Sequence, residues 1–416
     1  MNQLKTCNAD ISAEQAVLLQ GLSDFCNGKR TGRPEWPVDI KAFASLAESQ
    51  YLGSLLYSQC RSWEPSLNGG LRRDFSSDVF FSVNRADLLR SIVEAFMAEG
   101  IDLICIKGAV IRDCYPVPEL RSMGDVDMVI HPEDRDKADR ILLQKMGFGR
   151  LIDHHDVWTY GIGEFQFEVH THMFYDPLAN DFDYRTYFDH VWEHVHRASV
   201  FGIESPNLYV PDESFHFLYL MAHTAKHIIN SGAGFRAYLD MAVTVKSWSG
   251  SLDWPWIIDE LKKLQLFTFT KTCFTLCEYW FDIVMPLEKG PPERAFLEEV
   301  TQKTFEDGIF GFDNSENENA ASAREIKREE EKGHSYGFGS VKLLLRKLFP
   351  PYRDLQLVPW YSFIDGKPWL LPFVWVYRFF YCGIRKLRHS VKLLTEPFTK
   401  KKDVVKRQKL MKEWGL

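Results

Sequence analysis

KGAVIRDCYPVPELRSMGDVDM, residues 107–128, is the stretch whose reading decides the fold. An apolar run over 103–106 leads into it, and Val126 with residues 128–130 leads out. The pattern is strand, glycine turn, short helix, loop, strand. The second strand opens on two aspartates one residue apart. Alternate side chains of a strand share a face, so Asp125 and Asp127 point the same way while Val126 and Met128 enter a core. Two carboxylates side by side on a buried strand repel each other unless a proton or a cation stands between them. Oxygen ligands at this spacing suit Mg²⁺ or Mn²⁺. A solvated acidic turn is the plainer alternative, and the apolar flanks argue against it.

Outward from there, residues 164–173 read EFQFEVHTHM. Phe165, Phe167 and Val169 alternate with Gln166, Glu168 and His170. Glu168 therefore leaves a second strand of the same kind, its apolar neighbours turned inward. A hairpin over about 156–170, turning at residues 161–163, carries it. Two aspartates and a glutamate on adjacent strands, below a glycine turn, form the layout that two-ion phosphoryl or nucleotidyl transfer requires.

The order of glycine turn, short helix, Asp-x-Asp and apolar–carboxylate–apolar strand resembles the nucleotidyltransferase superfamily with the DNA polymerase β-like catalytic fold. More narrowly, LICIKGAVIRDCYPVPELRSMGDVDMVI followed by FEVH is similar to a bacterial group known as uncharacterised nucleotidyltransferase family proteins. The likeness runs from about the second helix to near residue 290, with weaker echoes beyond. It implies Asp125, Asp127 and Glu168 as metal ligands, and Lys107 and Gly108 in the triphosphate-binding turn. Lys-Gly stands here where the wider superfamily has Gly-Ser, so a hydroxyl that touches phosphate is missing. The resemblance also implies that His223, His227, Arg236 and Asp240, on a helix pair over the cleft, are substrate-side residues. Read without it, those four form a buried polar network between helices.

Other residues near the carboxylates carry two readings each. Lys107 is a phosphate contact, or a solvated lysine at a strand end. Arg121, with Ser122 on the loop before Asp125, neutralises transferring phosphates, or clamps Glu119 or Asp125 as an ion pair. His170 joins the metal site if the strand runs that far; His172 is a weaker candidate. His223 and His227, four apart on a helix, have the spacing of zinc ligands but lack the glutamate of HExxH.

Composition sets the limits. The chain has 416 residues with 45% hydrophobic side chains, enough for two or three domains with real cores. Eight scattered cysteines without a CxxC pair point to a reducing cytoplasm. The aromatic run over 369–384 is interrupted by Pro372 and Arg378 and falls short of a spanning helix. Net charge is −7, yet 17 Lys/Arg against 5 Asp/Glu from Ser340 onward give that region about +12.

The expected fold is α+β, a small mixed-sheet nucleotidyltransferase core embedded in a mostly helical protein. Helices are expected over 13–26, 40–60 and 76–100, the last with Ser77 as N-cap and Gly100 as stop, then over 212–230, 235–247, 257–265 and 267–284. The expected regions are an N-terminal helical part (1–95), the catalytic core (96–205), helices over the cleft (206–290), an acidic linker or loop (291–340) and a basic aromatic region (341–416). That last region packs on the acidic body, touches a membrane peripherally, or binds nucleic acid, in falling order; its tail over 400–416 reads as a cationic amphipathic helix.

The activity expected is metal-dependent transfer of an NMP from an NTP, ATP first, to an acceptor hydroxyl on a small molecule or protein. Two alternatives stand beside it. One is an inactive nucleotide-binding regulator; the other is a zinc hydrolase built on His170, His172, His223 and His227.

Overall fold

The computed structural model describes residues 11–63, 70–153, 156–174, 178, 180, 182–230, 232–288, 293–307, 326, 329, 332–352, 355, 363, 364, 366–385 and 409–416. About half of the expected linker and about half of the expected tail helix lie outside the described residues. The chain forms two compact units: Met1–Ile228 with Gly232–Gly311 and Trp414–Leu416, and Ile229–Ser231 with Phe312–Glu413.

The first unit is built on a seven-stranded mixed sheet in the order β3-β4-β5-β2-β1-β7-β6. Its strands are β1 (Leu103–Ile106), β2 (Asp125–Ile130), β3 (Gly149–Asp153), β4 (Val157–Ile162), β5 (Phe165–His170), β6 (Val195–Arg197) and β7 (Leu208–Pro211). β1 runs antiparallel to β2, and β2 runs parallel to β5. The β4–β5 hairpin pairs Ile162 with Phe165, leaving a two-residue turn at Gly163-Glu164 rather than at 161–163. Gly163 takes a φ of 58°, which suits a residue without Cβ.

One face of the sheet is apolar, as the alternation requires. Cys105, Val126, Met128, Phe167 and Val169 pack with Leu89, Ile92, Val93 and Phe96 from α4 (Gly70–Ala98) and with Ala138, Ile141 and Leu142. Those residues are buried completely or nearly so, and each fully buried Leu, Ile, Val or Phe contributes on the order of 2 kcal/mol. The opposite face of β2 and β5 is left to the carboxylates.

α1 (Ala13–Cys26) begins at Ser12 with a reciprocal capping box to Gln15, which satisfies two free backbone donors. The helix expected over 40–60 is two, α2 (Ile40–Ser49) and α3 (Gly53–Cys60). The chain breaks at Tyr51, which has a φ of 53°, and the buried Gln50 beside it donates its amide to the Thr304 carbonyl at 3.1 Å. α4 starts at Gly70, not at Ser77; buried Leu71 extends its apolar stripe, and the helix begins about two turns earlier. After the short α5 (Gly108–Ile111), α6 (Arg135–Arg140) and α7 (Tyr184–Asp189), four helices follow: α8 (Glu213–Asn230), α9 (Phe235–Ser247), α10 (Trp254–Lys263) and α11 (Phe267–Phe281). α11 ends at Asp282 in the left-handed conformation, three residues short of its expected end. α12 (Arg294–Asp307) completes the helices of this unit.

In the second unit, α13 (Tyr336–Leu348) and α14 (Leu371–Arg385) are described. Leu355, Ile364 and Val374 form a small core there. Among the described residues, no helix is long and apolar enough to cross a membrane.

Candidate active site

The parallel register of β2 and β5 sets Asp127 directly beside Glu168, and Asp125 beside Gln166. His170 follows two residues on, its Nε2 3.0 Å from Asp127 Oδ1 and 3.4 Å from Glu168 Oε2. Ligand atoms of Asp127, Glu168 and His170 all lie within 4.8 Å of one another, and among the described residues theirs is the one such group. Asp127 and His170 are buried, while Glu168 is partly open. Asp125 shares their face of the sheet and is not part of this group, while His170 is.

Lys107 comes from the end of β1, where Ile106 pairs with Asp127. Its Nζ lies 2.7 Å from Asp127 Oδ1. The lysine is not solvated. Burial alone would raise the Asp127 carboxyl, but the Lys107 ammonium and the His170 ring override it and hold Asp127 well below the usual carboxylate range. Burial, and next the charge of Asp127, push Asp125 up to about 6.

The loop before β2 is fastened from two helices, α4 and α9. Arg121 is bound by neither Glu119 nor Asp125. Its Nε and Nη2 donate to the two carboxylate oxygens of Asp240 on α9, each at 2.8 Å. Glu119 is held instead by Arg112 at 3.2 Å. Tyr115 donates its hydroxyl to Asp240 Oδ1 at 2.8 Å, and Arg236 Nη1 donates to the Ser122 carbonyl at 3.1 Å. Ser122 Oγ donates to Asp78 of α4 at 2.6 Å. Arg85, also on α4, donates to the carbonyls of Met123 and Gly124 at 3.0 and 3.3 Å.

From α8, His216 Nε2 accepts the Lys107 backbone N–H at 3.1 Å. Burial drives His216 down to about 3 and His223 well below the ordinary histidine value, so both rings are neutral. His223 and His227 touch ring to ring at 4.5 Å. His172 turns away to Asp189, with Nδ1 2.9 Å from Oδ2. His172 stands apart, and His170, His172, His223 and His227 do not form one ligand group, so the zinc-hydrolase constellation does not form.

Residues 37–282 match the model of a family described as uncharacterised nucleotidyltransferase. The chain belongs to that family. Among solved structures, the solution structure of the antibiotic-resistance factor ANT(2'')-Ia is similar at a TM-score of 0.33 and 11% identity, over 44% of this chain and 94% of that one. No curated protein matches the chain.

Asp125, Asp127 and Glu168 lie on the strands expected for them, and sequence reading missed several of the residues around them. Asp78 and Arg85 carried no signal, because a polar residue on an amphipathic helix reads as a solvated face, and nothing around Tyr115 in the sequence marks its distant partner Asp240. His216 did carry one: it precedes His223 by seven residues, two helical turns, and so falls on the same face of α8.

Proposed function

We propose that the chain is a divalent-metal-dependent nucleotidyltransferase that moves an NMP from an NTP, ATP first, to an acceptor hydroxyl. What carries this reading is the side-by-side placement of Asp127 and Glu168 on parallel strands, with His170 and Lys107 against them. Asp127, Glu168 and His170 offer two carboxylate oxygens and an imidazole nitrogen within 4.8 Å, a mixed donor set that suits Mn²⁺ better than Mg²⁺, and these residues would hold the ion. When bound, such an ion neutralises phosphate charge and makes an acceptor hydroxyl more acidic.

The chain's own groups supply the rest. Lys107 and the Gly108 turn receive the triphosphate, with Asp125 flanking it. Arg121 and Ser122 act through the loop they fasten, since both are already engaged by Asp240 and Asp78. Glu168 faces His170 through Oε2 and accepts from the Thr159 hydroxyl at Oε1, and it takes the acceptor's proton. The acceptor oxygen then bonds to the α-phosphorus as the bond to the β-phosphate breaks, and pyrophosphate leaves with the electron pair. Neutral His223 and His227 line the acceptor side, and Arg236 with Asp240 fix the loop beneath it. The acceptor is a small molecule or a protein rather than nucleic acid.

One observation favours a second reading. Lys107 and His170 already satisfy Asp127 Oδ1, as in a regulator that binds nucleotide without transferring it. Parallel incubations with α-labelled and γ-labelled ATP, Mn²⁺ and cell extract separate the two. Transfer of the α label alone, lost in Asp127→Ala, is the expected result. Equal labelling by wild type and Asp127→Ala overturns the assignment.

A further inference from the structure

Lys107 holds a backbone conformation that a lysine ordinarily avoids, with φ 50° and ψ −128°. Such a conformation costs about 1–3 kcal/mol for a residue bearing a Cβ and none of that for glycine. The surrounding fold maintains it: the Lys107 N–H is taken by His216, a fully buried ring on α8. A side chain kept at a strained position points to a task that glycine cannot do. That side chain is 17% exposed and ends 2.7 Å from a carboxylate that is itself 6% exposed.

We propose that the Lys107 ammonium is one of the two positive charges this chemistry calls for, so that the cluster takes a single divalent ion. The inference rests on the divalent-ion reading proposed above. Three carboxylates, Asp125, Asp127 and Glu168, share one face of β2 and β5. With the Lys107 ammonium 2.7 Å from Asp127, one of the three is already paired with a fixed cation. The donor atoms agree, because a single group of three is assembled among the described residues and Asp125 lies outside it. The ammonium is thus a fixed cation facing the triphosphate, and its departure opens a second metal position.

The test counts Mn²⁺ on the full chain at pH 8 without nucleotide, by the loss of the free-ion paramagnetic resonance signal. Wild type and Lys107→Arg bind one Mn²⁺ per chain. Lys107→Gly and Lys107→Met bind two, the first about tenfold more tightly than wild type, because a neighbouring positive charge is gone. Lys107→Gly suits the backbone at this position, and its thermal melt verifies that the count is made on folded protein. Two ions on the wild type, or one on both neutral variants at unchanged affinity, overturns the lysine assignment alone. No Mn²⁺ on any of the four proteins overturns the divalent-ion reading beneath it.

Discussion

Arg121 and Asp240 grip each other through two 2.8 Å bonds with side chains only 9% and 13% exposed. Removing one partner of a buried pair strands the other charge, so Asp240→Asn should lower stability by about 3–5 kcal/mol in urea unfolding. Arg121→Met combined with Asp240→Leu should recover much of that loss, since no lone charge remains. Gly108 depends on the same pair. A Cβ there would stand 2.5 Å from Arg121 Nη1 and 3.3 Å from Cζ. A guanidinium held by Asp240 cannot swing aside, so Gly108→Ala should destabilise by about 1–3 kcal/mol, seen as a lower Tm. At this scale the sequence revealed the carboxylates and not their partners. Asp125 and Asp127 announce themselves by alternation, whereas the match of Arg121 to a residue 119 positions away depends on packing alone.

Elements carry the site's electrostatics. α8 presents His216 to the turn after β1 and keeps the ring neutral, near pKa 3. In the unfolded chain this ring titrates near 6.5. Between those values the unfolded state binds a proton that the folded state refuses, so stability is full above about pH 6.5 and falls as the pH drops. For one such ring the loss at pH 5 is about 2 kcal/mol. His216→Gln keeps an acceptor for the Lys107 N–H and removes the titration. Its unfolding free energy should therefore change less between pH 7 and pH 5 than that of wild type, as urea titrations at the two pH values will measure. Equal slopes for the two proteins would contradict the buried neutral ring. Strands were legible here because period-two alternation survives in β2 and β5. Helix ends were less so: α4 begins earlier than its sequence cap, and 40–60 breaks at Tyr51, beside a long-range contact from Gln50 to Thr304.

For the molecule as a whole, contacts distant in sequence close the first unit. Trp414 is 4% exposed and packs its ring among Tyr238, Phe269 and Phe296. Trp414→Ala should remove about 3–5 kcal/mol from that unit, read by the urea midpoint of its unfolding. Sequence reading assigned this tryptophan to a cationic amphipathic tail, because charge pattern is local and the aromatic pocket is not. The account's central claim is that Asp127, Glu168 and His170 hold one divalent ion for nucleotidyl transfer. The most direct test is a crystal of the full chain soaked with Mn²⁺ and a non-hydrolysable ATP analogue. The account predicts an anomalous peak bonded to Asp127, Glu168 and His170 with the triphosphate reaching Lys107. A peak elsewhere with this triangle empty, or nucleotide seated away from β2 and β5, would contradict it.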